Sequence, residues 1–326
     1  MATTKLLANV VTAVDCIKQL GPDGNIMEVA ETLTEFNEIL QDAAMTMAND
    51  VFQHTTLIPK SLGQFKPRTI NSGAQKSAPK MAQITEQIML LDIISEVDEE
   101  LVINMPDKDK ARWNRTKLML EGAMQELSRI IWYGNKGVDA AEIDGYFTRF
   151  NSTSLANVHT LSGSGSDTTS LALIEWGEMV NTLIYPRGAK NAGIEDNPKP
   201  LEKAYDASMN PFYAYSHQIK AKLGISIPDT RALQRLVNIE STGVSNNLNA
   251  SGGMYPLVRA INKLPHAGKN AIIYVNRDLK SQFDIWALDK ANGCYMIDNL
   301  SGEPVTVFRK IPVKMSEQIL STETAI

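Results

Sequence analysis

Residues 107–135, DKDKARWNRTKLMLEGAMQELSRIIWYGN, form the longest unbroken helical pattern in the chain, and the remaining segments take their places relative to it. Trp113, Leu120, Met124, Leu127 and Ile131 follow one another at steps of seven, four, three and four, which gathers them on one helix face. Lys110, Lys117, Glu121, Gln125 and Arg129 fall elsewhere around the axis. Pro106 and Asp107 mark a start with acid in the first turn, and Gly134 stands where a left-handed C-terminal cap is expected. At the usual rise such a helix is roughly 39 Å long, enough to cross a domain. Gly122 lowers its helix propensity and reads either as a point of close backbone approach or as a tolerated glycine.

Upstream of this spine, residues 1–25 read as an arm: Leu6, Val10, Val14 and Ile17 form a short apolar segment that ends in the turn cluster Gly21–Gly24. From Met27 to Phe52 the positions Val29, Leu33, Phe36, Leu40, Ala43 and Met47 repeat at helical spacing, which predicts an amphipathic helix. Between Val51 and Thr85 there is no Asp or Glu, whereas Lys60, Lys66, Arg68, Lys76 and Lys80 are present. Pro59, Gly63, Pro67, Gly73 and Pro79 exclude helix there, and the middle, NSGAQKSAPK, has the character of a loop tip. The return limb, Met81 to Met105, is aliphatic and carries Glu86, Asp92, Glu96, Asp98, Glu99 and Glu100. Two strands alone bury too little apolar surface for stability, so this basic-out, acidic-back excursion is either a solvated loop or a projection held by something else.

Downstream, β patterns dominate. Leu171–Trp176 and Val180–Tyr185 are short apolar runs, and Pro186 to Pro200 reads as a loop. Ile219, Ala221, Leu223, Ile225 and Ile227 alternate with polar residues as a half-buried strand does. Asp229 to Ile239 is open between helix and strand. Tyr255–Leu264 reads as a helix stopped by Pro265 and Gly268, leading into a strand at Ala271–Val275. Gly302 to Ile311 and Pro312 to Leu320 read as one long strand with a tail.

Composition bounds the function. A hydrophobic fraction of 43% supports a folded core, and no apolar run is long enough to span a bilayer as a helix. No membrane partner is expected, and the N-terminus lacks a cleavage signature. Cys16 and Cys294 are best read as small buried apolar residues rather than a disulfide framework. A formal charge of −5 argues against a dedicated nucleic-acid reader. His54, His159, His217 and His266 are scattered without ligand spacing, so no metal is implied. The Gly163 loop, GSGSD, has neither phosphate-cradle spacing nor the lysine that accompanies it. No nucleophile elbow or isolated acid pair appears, so no catalytic residue, cofactor or enzyme activity is indicated. A chain with a long projection and no chemical constellation points to work done by contacts between subunits.

The order of these features resembles the major capsid proteins of tailed bacteriophages with the Hong-Kong-97-type (HK97-like) fold, and within them the podovirus gp7-like major capsid family. The residues that carry the resemblance are Arg68, Asn71 and Gly73; Gln83, Thr85 and Glu86; Glu96, Val97 and Asp98; and Tyr133, Gly134 and Asn135. Further along they are Trp176 and Gly177; Tyr185, Pro186 and Gly188; Gly224, Asp229, Arg231, Arg235, Asn238 and Ile239; Tyr274, Asn276 and Arg277; and Gly302, Pro304, Val305, Phe308, Ile311, Pro312 and Val313. The resemblance implies an α+β fold in five parts. These are an N-terminal arm and helix at 1–52, an extended loop and return limb at 53–105, the spine helix and peripheral domain at 106–155, an axial domain at 156–300, and a C-terminal strand at 301–326 returning to the peripheral domain. It further implies a subunit that assembles with itself into hexamers and pentamers of an icosahedral head around double-stranded DNA, without reading its sequence. Because the loop begins only some fifty residues in, a separate scaffolding protein is expected rather than a fused one; a portal protein and a decoration or cement protein are further partners of such shells. The expected location is the virion, after assembly in the host bacterial cytoplasm. Lys60, Lys66, Arg68, Lys76, Lys80, Glu96, Asp98, Glu99 and Glu100 are the expected intersubunit contacts. Loop lysines offer material for a covalent crosslink, but no residue identifies the carboxylate that would promote it. The rival reading within the same fold is an encapsulin-like compartment shell, and outside it an α/β enzyme with a dispersed site.

Overall fold

The computed structural model of the chain describes residues 38–103, 107–189, 191–205, 209–241, 254–288, 295–300 and 303–326. In chain order, a short helix α1 (Ile39–Asp42) and a strand β1 (Met45–Met47) precede a long ribbon made of β2 (Gln53–Ser61) and β3 (Lys80–Asp98). One turn of helix, α2 (Glu99–Ile103), leads to the spine α3 (Lys108–Tyr133) and then to α4 (Tyr146–Arg149). Next come β4 (Val158–Thr160), β5 (Thr168–Glu175), β6 (Thr182–Tyr185), β7 (Ile194–Tyr205) and β8 (Pro211–Ser226). The chain continues through β9 (Leu233–Glu240), α5 (Met254–Lys263), β10 (Ala271–Val275), α6 (Arg277–Leu288), β11 (Tyr295–Leu300), β12 (Glu303–Phe308) and β13 (Ile311–Met315). Two compact units emerge: 90–127 with 190–222, and 36–89 with 128–189 and 223–326. The α3 helix, β3 and β8 each pass from one unit to the other.

The larger unit is built on a seven-stranded sheet ordered β11-β12-β13-β10-β5-β9-β4. Every residue of β5 is buried, and all but the last of β9, so both faces of these strands are covered and their polar residues, Thr168, Thr169, Ser170, Glu175, Gln234, Arg235 and Asn238, are buried with the apolar ones. On one face, Leu257, Ala260 and Ile261 of α5 and Leu279, Phe283 and Trp286 of α6 pack with Leu171, Leu173, Leu236, Ile273 and Val313. Their spacings of three and four are what make each helix present one apolar stripe. Asn276 starts α6 by accepting the Leu279 amide on Oδ1 at 2.9 Å.

A second packing layer forms where the spine ends. The Trp132 ring lies 5.9, 5.0 and 5.7 Å from those of Tyr146, Phe147 and Tyr274, and its Nε1 donates to Ser316 Oγ at 2.9 Å. Inside this layer sits Arg235 of β9, only 3% exposed. Its guanidinium donates to the carbonyls of Phe147 (3.0 Å) and Phe150 (2.9 Å), to Ser170 Oγ (2.9 Å) and to Glu323 Oε2 (3.2 Å), and it lies 4.3 Å from the Phe147 ring centroid. Glu323 in turn accepts the hydroxyls of Tyr133 and Ser170. Burial pulls Arg235 below its usual pKa against the pull of Glu323, and burial beside that carboxylate pushes the Tyr133 phenol up, so the phenol stays a donor. The tail is stitched down by Thr169 Oγ1 to the Leu320 carbonyl (2.8 Å), Thr168 Oγ1 to the Glu323 carbonyl (2.8 Å) and Asn238 to both the amide and the carbonyl of Ile326. Asn238 does this from φ 60, where β9 bulges against Thr169 and Leu171 of β5.

Several expectations change. The helix expected over Met27–Phe52 survives only as α1 among the described residues; Met45–Met47 is a strand paired in parallel with β6, and residues 1–37, with the arm, lie outside the description. Gly134 is not a left-handed cap. A Cβ on it would come within 2.5 Å of the Ile143 carbonyl oxygen, so its role is to let two backbone segments touch. Gly122 has open space around it. The spine face is buried only at its end, through Leu127 and Ile131, while Trp113 is 65% exposed. The Pro186–Pro200 loop becomes strand from Ile194, because β8 supplies a partner. Asp229–Ile239 resolves as a 3₁₀ turn and a strand. The long C-terminal strand is instead the hairpin of β12 and β13, turned by Arg309 and Lys310 at φ 49 and 71. The α6 helix had no counterpart in the sequence reading.

Two outcomes follow from these contacts. Glu323→Ala strands a buried guanidinium and should lower stability by about 3–5 kcal/mol in urea unfolding. Gly134→Ala should cost about 1–3 kcal/mol through overlap, whereas Gly122→Ala should gain up to about 1 kcal/mol.

Candidate subunit-interaction surface

The ribbon of β2 and β3 is anchored at one end and bare at the other. Its antiparallel register runs from Gln53 opposite Gln87 to Ser61 opposite Lys80, with an irregularity between Pro59 and Ser61 where proline removes a ladder donor. Nine residues of strand give it a reach of roughly 30 Å. At the base, Arg149 grips Glu86 with two parallel bonds of 2.8 and 2.9 Å, and its Nε donates to the Asp144 carbonyl at 2.8 Å. Lys136 donates to Gln87 beside it. On the other strand, the Asn49 side chain brackets Thr55, donating to its carbonyl at 2.7 Å and accepting its amide at 2.9 Å. Ala48, Ile88 and Ile184 form a small apolar plug under this end.

Beyond Ser61 the ladder stops. Residues 62–79 have no regular secondary structure, and all but Ser72 are exposed. Leu62, Phe65 and Ile70 are 76%, 107% and 93% exposed, so three large apolar side chains touch almost nothing of their own chain. Full burial of each is worth about 1.5–3 kcal/mol, which is stabilisation that this chain alone leaves unused. The tip is nonetheless shaped: Arg68 donates to the Ser72 carbonyl at 3.0 Å, Ser72 Oγ to the Thr69 carbonyl at 2.8 Å, and Asn71 takes φ 66.

Of the residues expected from sequence to meet a neighbour, Lys60, Lys66, Arg68, Lys76 and Lys80 are exposed along the ribbon, in the larger unit. Glu96 and Glu100 are exposed and Asp98 and Glu99 half-buried, in the smaller unit. Asp98 accepts the Glu100 amide at 2.9 Å, as a start signal for α2. Charge alone led to these positions. It passed over the apolar tip, whose signal was present: Phe65 and Ile70 belong to no periodic pattern in a stretch otherwise built from proline, glycine and polar residues. It also passed over the Arg149–Glu86 clamp, which joins residues 63 apart.

Thr116, His217 and Asp196 line up like a nucleophile, base and orienting acid, with Thr116 Oγ1 3.2 Å from His217 Nδ1 and Asp196 against Nε2. Yet Thr116 already donates its proton to the Arg112 carbonyl at 3.1 Å, and the adjoining cavity of about 20 Å³ holds one water at most. Among the described residues no group of three His, Cys, Asp or Glu is placed to hold a metal, and no helix is long and apolar enough to cross a membrane.

Residues 21–326 match the family described as Major capsid protein GP7. Among solved structures, the chain is similar to one from bacteriophage Epsilon15, at 23% identity and a TM-score of 0.73, covering 100% of this chain and 99% of that one. It is also similar to a chain of the bacteriophage JBD30 capsid, at 10% identity and a TM-score of 0.52, covering 88% and 93%. No curated protein matches it by sequence.

Removing the clamp tests the anchoring. Glu86→Ala should cost about 1–3 kcal/mol and speed amide exchange in residues 53–58 and 82–87, while leaving exchange in β5 and β9 unchanged.

Proposed function

The chain belongs to the major capsid protein GP7 family, and from that premise we propose how its subunits build a head. It is a structural protein of a tailed-phage capsid shell with the HK97-like α+β fold, a virion component and not an enzyme. In our reading it forms hexamers and pentamers that close an icosahedral shell around double-stranded DNA. The observation that carries this is the ribbon, clamped at its base and apolar at its solvent-exposed tip. A projection of this kind gains its stability only on another copy, and contacts between unlike patches close rings by rotation.

The domain names follow as part of the same proposal. Residues 53–105 are the extended loop and return limb, 106–155 the spine and peripheral domain, 156–300 apart from 190–222 the axial domain, and 301–326 the returning C-terminal strand. Because 190–222 cluster with the first half of the spine, we assign them to the peripheral domain. Lys60, Lys66, Arg68, Lys76 and Lys80 steer approach to acids such as Glu96, Asp98, Glu99 and Glu100 of a neighbour. Exposed pairs contribute only about 0–1 kcal/mol each, so their work is orientation and rate. An overall charge of −5 suits a wall along which DNA is packed without sequence-selective contacts. A separate scaffolding protein and a portal protein complete the assembly, in the cytoplasm of a bacterial host, with a decoration or cement protein as an optional outer partner.

Electron microscopy of the chain expressed with its scaffolding partner should reveal closed shells; a small oligomer under those conditions would contradict the reading. Amide exchange at 62–79 should be fast in the subunit and at least tenfold slower in the shell. Lys76→Glu with Lys80→Glu should slow assembly at low salt and matter little at 1 M, where the Debye length is about 3 Å.

A further inference from the structure

The small cavity beside His217 lies inside the smaller unit, where α3, β3 and β8 meet. Arg112 and Arg115 stand three residues apart on α3, a spacing that makes them neighbours on one side of the helix. That side meets β8: the Arg112 guanidinium lies over the Tyr215 ring, 4.8 Å from its centroid, and Thr116 Oγ1 stands 3.2 Å from His217 Nδ1. The cavity, of about 20 Å³, is lined by both arginines, by Tyr215, Ser216 and His217, and by Ser95 of β3, and no acid lines it.

The donors around this space are unevenly used. Stacking on Tyr215 takes one face of the Arg112 guanidinium and leaves the N–H groups, which lie in its plane; among the described residues no carboxylate pairs with it. His217 has both ring nitrogens engaged, by Thr116 and by Asp196, so it walls the cavity rather than binding in it. Ser95 and Ser216 add hydroxyls, and Ser216 is only 5% exposed. Like charges at neighbouring positions of a helix repel, and one negative charge set between them turns that repulsion into two attractions, which partial shielding from water strengthens. Volume then selects the ion. About 20 Å³ admits one particle of about water's size. Chloride is slightly larger than water and fits, whereas phosphate, sulfate and carboxylates carry several heavy atoms and do not.

We propose that the cavity formed by Arg112, Arg115, Ser95 and Ser216 is a binding site for a single monatomic anion, chloride under ordinary salt conditions. The ion ties the first half of the spine to β3 and β8. Every residue of the site belongs to one subunit, so the proposal does not depend on the shell reading.

The test uses the unassembled full-length chain in sodium chloride, with chloride NMR as the readout, since exchange with a protein site broadens the line of the free ion. The unsubstituted chain should broaden the line saturably; bromide should reverse the broadening, and phosphate or gluconate at equal ionic strength should not. Arg112→Gln should weaken chloride affinity about tenfold, the worth of one charge-assisted hydrogen bond, with the circular dichroism spectrum unchanged. If that variant does not fold, amide exchange in the unsubstituted chain decides: residues 112–116 and 215–217 should exchange more slowly in chloride than in gluconate, while β5 and β9 behave alike in both. Broadening reversed by phosphate as readily as by bromide means an open basic surface and would overturn the proposal. So would a line that the chain does not broaden, equal affinity in a folded Arg112→Gln variant, or equal exchange in the two salts.

Discussion

The larger unit depends on one buried cation. Arg235 brings a guanidinium into a place where an unpaired charge would cost several kcal/mol, and it is tolerated there because four different parts of the chain supply partners. Those parts are the α4 turn, the residue that closes it, β5 and the C-terminal segment. Glu323 is the opposite charge, and it is itself held by Tyr133 from the last turn of the spine and by Ser170. Each partner is worth little without the others, because a half-satisfied network leaves a desolvated charge behind. The spine end, the sheet and the tail are consequently committed to one arrangement together.

The ribbon obeys the opposite logic. Its base repeats the solution used in the core, a bidentate Arg149–Glu86 pair with the remaining nitrogen satisfied by a carbonyl. Its tip has local turn bonds and no covering surface. The same chain thus contains a buried ion pair with its partners around it and a projection whose large apolar side chains are uncovered. The two differ in what a substitution would disturb: near Arg235 it breaks a buried network, at residues 62–79 only local turn bonds.

Glycine marks where these parts come close. Gly134 lies against the Ile143 carbonyl and accepts the Gly145 amide on its own carbonyl at 2.9 Å, which turns the chain sharply from the spine into α4. A Cβ on Gly224 would come within 2.5 Å of the Gln87 carbonyl oxygen, so glycine lets β8 approach the base of the ribbon. Both are backbone contacts that no side chain can relax, and they place the Trp132 layer and the ribbon base at fixed distances from the sheet.

Period and composition were enough to read the spine, the strand at Ala271–Val275, the α5 helix and the existence of a basic outgoing and acidic returning ribbon, because each is a local pattern that its own residues enforce. The family resemblance could also be read there, since it rests on the order of short motifs. What tertiary structure decided is what depends on partners distant in sequence. Met45–Met47 is a strand because β6 pairs with it, and Ile194–Tyr205 is a strand because β8 does. The C-terminal strand folds back at Arg309 and Lys310 because β13 pairs with both β12 and β10. Trp113 and Ile131 share a helix face by period, yet only the second is buried, since helical spacing says which residues align and not where a neighbour stands. The cations of the ribbon were legible as a run of one sign, but the exposure of Leu62, Phe65 and Ile70 was not: an apolar residue in a loop can belong to the core, and only the fold decides that no core reaches it.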